Sequence, residues 1–336
     1  MQRAFVFGLC WLFTMAYHGP ALHVPNESEI KQPPHKIIEK EAEESLSEDY
    51  DFLIPADAQS GTIPFIRAGN LIIIQATVDS TSGNFILDTG APGLILNLTY
   101  FRQYKASSKA DVDAGGITGY AAGGSPTLVK QFNLGPFTYS EVNAGRVNLG
   151  HIENTKGIKI MGLMGAGLFK RYEMLIDYEQ QVIHFHRAAK KEKSGYKSFY
   201  LDKKAEYETL PIRLQEGKLI TKMAVGKQML NFVLDTGAET NILDSRLPKS
   251  VFSNVIMDRK ISLVGTGQKP VEAWYGRLFN ASLRQVKIDS MDVLVTSLQQ
   301  MSEAFGQNID GMLGYAFLSK QKTGINFLNN ELYLWK

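Results

Sequence analysis

The chain has 336 residues, 44% hydrophobic and 21% charged, which excludes a wholly disordered chain, a collagen and a multi-span membrane protein. Its 36 basic residues against 34 acidic ones leave a net charge of +2, no electrostatic ground for binding nucleic acid. One cysteine, Cys10, excludes an internal disulfide, a CxxC redox motif and a cysteine-based zinc site. In chain order, residues 1–21 read as a secretory signal: a basic start at Met1-Gln2-Arg3, an apolar run from Ala4 to Tyr17, then the small residues Gly19 and Ala21. That run is shorter than the roughly 20 residues a helical span needs. Leu9 precedes Cys10, where a lipid-anchor site would want a small residue. The expectation is an exported chain, periplasmic or extracellular, with no membrane span once the signal is removed. Residues 22–55 form a polar, acidic leader: from Glu39 to Asp51 it carries Glu39, Glu41, Glu43, Glu44, Glu48, Asp49 and Asp51 against Lys40 alone. Such a run repels itself and buries little, so it reads as flexible. A pro-segment covering a site is the alternative.

The remainder is a duplication. Asn84-Phe85-Ile86-Leu87-Asp88-Thr89-Gly90-Ala91 returns as Asn231-Phe232-Val233-Leu234-Asp235-Thr236-Gly237-Ala238, 147 residues later. The same offset pairs Pro64 with Pro211, Val78 with Val225, and Ile95-Leu96 with Ile242-Leu243. A later block, Met161 to Phe169, returns as Asp310 to Leu318 at an offset of 149. The halves are therefore a lobe at 56–188, a Lys-rich linker at 189–204 and a second lobe at 205–336. Short apolar runs bounded by Gly, Asn and Ser, such as Leu71–Ile74, Phe85–Leu87 and Phe232–Leu234, predict strands. Met174–Phe185 and Gly324–Trp335 predict a closing strand pair in each half. Short helices are expected at 100–110, 168–172 and 298–305. The fold class is all-β, two homologous closed barrel-like lobes related by a pseudo-twofold axis.

The residues that carry chemistry are Asp88-Thr89-Gly90 and Asp235-Thr236-Gly237, each placed after an apolar strand on a turn that Gly permits. One Asp-Thr-Gly arises by chance roughly 0.07 times in a chain of this length. Two at equivalent positions of a duplication are a specific signal. With Leu163-Met164-Gly165 and Met312-Leu313-Gly314, they resemble the aspartic peptidases, the pepsin-like and retropepsin-like families. Ala after Gly is the retropepsin form and duplication in one chain is the pepsin form. The nearest resemblance is to bacterial secreted two-domain retropepsin-like proteases.

That resemblance implies a catalytic pair, Asp88 and Asp235, facing each other and sharing one proton, and a peptide or protein substrate. No metal or cofactor is expected, and His151, His184 and His186 have no metal-ligand spacing. It implies that Thr89 and Thr236 bond across the lobes, that Gly90 and Gly237 allow close approach to the carboxylates, and that Gly165 and Gly314 let a later strand pass behind each turn. A substrate-binding flap is expected at 114–124, with Gly116, Gly119 and Tyr120. Its lobe-two counterpart takes in Gly265, Trp274 and Tyr275. Ala91 and Ala238, where Ser would supply a hydroxyl, imply a pair less acidic than a gastric-type enzyme's. Met161 opposite Asp310, and Pro92-Gly93 opposite Glu239-Thr240, depart from the repeat. A monomer with an intrachain dyad is expected. A homodimer with two dyads, or a catalytically inactive module that holds a peptide or a cell-surface partner, stays open.

Overall fold

The computed structural model describes residues 59–105, 126–188, 207–215, 217–263 and 271–336. The signal, the leader, the linker at 189–204 and the flap residues Gly116, Gly119, Tyr120 and Gly265 lie outside them. The first lobe contributes β1 (Ser60–Pro64), β2 (Ile66–Ala68), β3 (Leu71–Val78), β4 (Thr81–Leu87), β5 (Leu94–Asn97), β6 (Thr127–Leu134), β7 (Phe137–Val147), α1 (Gly150–Lys156), β8 (Gly162–Met164), β9 (Tyr172–Asp177) and β10 (Val182–Arg187). The second contributes β11 (Tyr207–Pro211), β12 (Arg213–Gln215), β13 (Lys218–Val225), β14 (Gln228–Leu234), β15 (Asn241–Asp244), α2 (Lys249–Phe252), β16 (Val255–Leu263), β17 (Val271–Leu283), β18 (Val286–Thr296), α3 (Gln299–Phe305), β19 (Gly311–Leu313), α4 (Tyr315–Leu318), β20 (Thr323–Asn326) and β21 (Glu331–Trp335).

Each lobe closes on itself. In the first, the order β3-β4-β8-β5-β7-β6 returns to its start because β6 also pairs β3. In the second, β13-β14-β19-β15-β18-β17 closes through β13 and β17. Closure removes the exposed edges that an open sheet would present. The expected all-β architecture of two barrel-like lobes is what the chain adopts. The segments Leu71–Ile74, Phe85–Leu87 and Phe232–Leu234 are continuously apolar because both of their faces are buried. Ile72, Ile74, Phe85 and Leu87 point into the barrel, whereas Leu71, Ile73 and Ile86 join an outer layer that Ile152 of α1 covers. The outer layer of lobe two follows the same plan with Ile220, Val233 and Ile242.

A third sheet, β1-β10-β9-β20-β21-β11, joins the lobes. Its central pair sets Met174 against Ile325 and Ile176 against Thr323, as a twofold axis through Leu175 and Gly324 requires. His184 and His186 sit on β10 with Nδ1 atoms 2.7 Å from Thr62 Oγ1 and Ser60 Oγ of β1. The closing strand pairs and the helix near 298–305 fall where the sequence puts them. Two helices do not. Of the 100–110 expectation, residues 100–105 carry no helix and 106–110 lie outside the described residues, while the 168–172 element is a 3₁₀ turn at Ala166–Phe169 that hands over to β9 at Tyr172. Tyr172 is buried on an aromatic cluster with Phe137, Phe169 and Phe185, which commits it to the sheet. Among the described residues no helix is long and apolar enough to cross a membrane.

Candidate active site

The two Asp-Thr-Gly turns leave the ends of β4 and β14, each of which runs parallel to the short strand beside it. That neighbour fixes the start of the turn: Asp88 N–H donates to Met164 O at 2.9 Å and Asp235 N–H to Leu313 O at 3.0 Å. The turn then closes on itself, Ala91 N–H to Asp88 O and Ala238 N–H to Asp235 O. Behind it runs the chain after β8 or β19. A Cβ on Gly165 would lie 2.5 Å from the backbone nitrogen of Gly93, and one on Gly314 2.5 Å from the carbonyl oxygens of Ala238 and Thr240. Only glycine lets these segments pass so close, as the repeated sequence suggested.

The turns meet at the seam between the lobes. Thr89 N–H donates to Thr236 Oγ1 at 3.0 Å and Thr236 N–H to Thr89 Oγ1 at 3.0 Å. Each hydroxyl then donates onward, Thr89 to Leu234 O at 2.9 Å and Thr236 to Leu87 O at 2.8 Å. The result is a closed, reciprocal set of four bonds, all buried. It seats each carboxylate against the opposite glycine. A Cβ on Gly90 would come 2.5 Å from Asp235 Cγ, and one on Gly237 2.6 Å from Asp88 Cγ. Asp88, Thr89, Gly90, Asp235, Thr236 and Gly237 are thus one cluster drawn from two halves of the chain. The glycines give room to the opposite carboxylate more than to their own.

The cluster is buried, with Asp88 0% and Asp235 1% exposed. Burial first, then the neighbouring Asp88 carboxylate, push the Asp235 carboxyl up to about 8. The Lys218 ammonium and the Gly237 N–H, which donates to Asp235 Oδ1 at 2.8 Å, pull the other way. Such a pair titrates as a unit. Ala91 and Ala238 are buried at the turns and bring no hydroxyl.

Family comparison bears on this geometry directly. Residues 221–317 match the family model of aspartyl proteases. The aspartyl protease match runs from β13 to α4, and so takes in Asp235-Thr236-Gly237 and Gly314. It supports an aspartic-protease-like family for the chain. No curated protein matches the chain.

Trp274 and Tyr275 stand on β17, in its hairpin with β16. Trp274 is 44% exposed, while Tyr275 packs on the outer apolar layer of lobe two with the Arg259 guanidinium 4.6 Å over its ring. Two polar groups beside the turns carry weight that sequence reasoning did not give them. Glu239, four residues after Asp235, pairs with Lys156 of α1 and accepts from Asn70 N–H at 3.2 Å, both from lobe one. Lys218 is buried at the head of β13. The available signal was the repeat itself: Lys218 stands where lobe one has Leu71, and Glu239 where it has Pro92.

Proposed function

We propose that the chain is an aspartic endopeptidase in which Asp88 and Asp235 activate a water for attack on a peptide bond. The observation that carries this reading is the reciprocal seating of each carboxylate against the other lobe's glycine. Two carboxylates so close in a buried site do not ionise together, so the pair holds one proton; aspartic proteases are the standard example of that behaviour. The ionised member takes a proton from water as it attacks. The protonated member polarises the scissile carbonyl. Collapse of the resulting diol returns a proton to the leaving amine, and no covalent intermediate on the protein is required. The threonine set keeps both carboxylates in position throughout, as a rigid scaffold must for acid–base work.

The substrate is a peptide or protein segment in extended form, since β-rich clefts take peptides by strand-like pairing. The active species is a monomer whose dyad is intrachain, exported after removal of residues 1–21. With Ala91 and Ala238 in place of hydroxyls, and with the raised Asp235 carboxyl, activity extends above the range of a gastric-type enzyme.

Cleavage of an unfolded protein by the mature chain from pH 3 to 8 tests this, with Asp88→Asn, Asp235→Asn and a statine-type inhibitor alongside. Cleavage abolished by either substitution and by the inhibitor is expected, at a monomeric native mass. A folded protein inert at every pH, or a rate peaking near pH 2, overturns it.

A further inference from the structure

The seam of the two lobes is nearly twofold symmetric, yet one cation stands on one side of it. Lys218 opens β13 and is 3% exposed. The β13–β14 register pairs Leu219 with Leu234, and its continuation sets Lys218 opposite Asp235. In lobe one, Ile73 pairs Ile86, and the same continuation sets Leu71 opposite Asp88. Leu71 and Lys218 are the same position of the repeat, 147 residues apart. Gly217, just before the lysine, has φ of +73°, and a Cβ there would lie 3.0 Å from Cα of Pro92 in the lobe-one turn. The head of β13 is therefore wedged against the aspartate turn of the other lobe.

Lysine is seldom buried so completely without an anionic counterpart. The groups that act on Asp235 are the Asp88 carboxylate from the turn after β4, Lys218 from β13 and the Gly237 N–H from its own turn. The Glu239 carboxylate, further along, is engaged by Lys156 and Asn70.

We propose that Lys218 is a positioning residue for the dyad: its ammonium holds the single negative charge that Asp88 and Asp235 share, and so sets the pH window in which the pair carries one proton. The proposal rests on the aspartic-peptidase reading and adds to it. A symmetric pair has no such internal counter-ion. Here the charge is balanced from the lobe-two side, and the one-proton state reaches to lower pH than burial alone would allow.

The test uses the mature chain with Lys218→Met, Lys218→Leu, Lys218→Arg and Leu71→Lys. The first readout is the pH dependence of kcat/KM. Loss of the cation disfavours ionisation, so both limbs of the bell move to higher pH, by about one to two units for a charge at this range in a partly screened interior. Lys218→Arg restores the wild-type position. Leu71→Lys, which adds a second cation at the twin position, moves the limbs to lower pH. The second readout is the carboxyl-carbon NMR titration of the labelled aspartates, which needs no turnover. A bell that falls in height without moving, with an unmoved carboxyl titration in Lys218→Met, shows a merely structural lysine and overturns the proposal. Wild type without cleavage defeats the peptidase reading alone; the carboxyl titration then still decides whether Lys218 governs the pair.

Discussion

The turn after β4 and the turn after β14 begin alike and end differently. Through their first four residues, Asp-Thr-Gly-Ala, they share strand register, cross-lobe bonds and burial. From the fifth they part. Lobe one continues Pro92-Gly93, which packs as backbone against Gly167 and Gly217. Lobe two continues Glu239-Thr240, and Glu239 reaches across the seam to Lys156 and Asn70. Just behind the aspartates the difference repeats, Leu71 on one side and Lys218 on the other. The lesson is a division of labour. The symmetric residues fix where the two carboxylates are, and the asymmetric ones fix the charge around them. A duplication can lose symmetry in the second set while keeping it in the first.

The comparison is open to attack where it is strongest. Asp88→Asn and Asp235→Asn should each lower kcat by about 10³-fold or more, and by similar factors, if the pair acts as the one acid–base unit proposed above; a large inequality would mean the lobes are not chemically equivalent. The same variants report on stability. A carboxyl raised in the folded chain keeps a proton that the unfolded chain has already lost. Its ionisation therefore opposes folding increasingly as pH climbs from about 4 to about 8, and the opposition is absent below the unfolded value. Thermal melts should show Asp235→Asn gaining on wild type across that window and level with it at low pH. Gly90→Ala and Gly237→Ala should each reduce activity by about 10²-fold, because the new methyl displaces the opposite carboxylate; single-turnover rates would show it. Thr89→Val and Thr236→Val leave a buried N–H and a buried carbonyl unpaired, and each should cost about 2 kcal/mol in denaturant titrations. Last come the divergent residues. Glu239→Gln gives up the pair with Lys156 and keeps an acceptor for Asn70, a loss of about 1 kcal/mol. Pro92→Ala should change stability by only about 0.5 kcal/mol, through the unfolded chain.

Much of this arrangement was legible in the sequence because duplication prints the same pattern twice. The strands around Phe85 and Phe232, the aspartate turns, the glycines behind them and the closing strand pairs all lie in repeated blocks. The threonine bonds followed from a resemblance, and the structure shows them as reciprocal. What escaped has a common cause. Glu239 meets Lys156 across 83 residues and Asn70 across 169, and no local periodicity encodes a pair that exists only once two lobes dock. Lys218 carries no local pattern that sets it apart, and only the register of β13 against β14 brings it opposite Asp235. Helix α1 carries a single buried apolar side chain, Ile152, too little for a helical pattern to show. The Met161 departure, by contrast, is confined to a side chain. Met161 N–H still donates to Asn84 O, as Asp310 N–H does to Asn231 O, while the Asp310 carboxylate additionally accepts from Asn231 N–H at 2.7 Å.

The joining sheet has a consequence for how the molecule is made. Its strands are not interleaved: β1, β10 and β9 come from the first half, β20, β21 and β11 from the second, and only β9 against β20 connects them. Until β20 forms, β9 is paired with β10 on one side and bare on the other. That bare edge is built for a partner related by a twofold axis, and another newborn first half offers the same edge in the same orientation. Completing the fold therefore requires β20 of the same chain to reach that edge ahead of β9 of another copy.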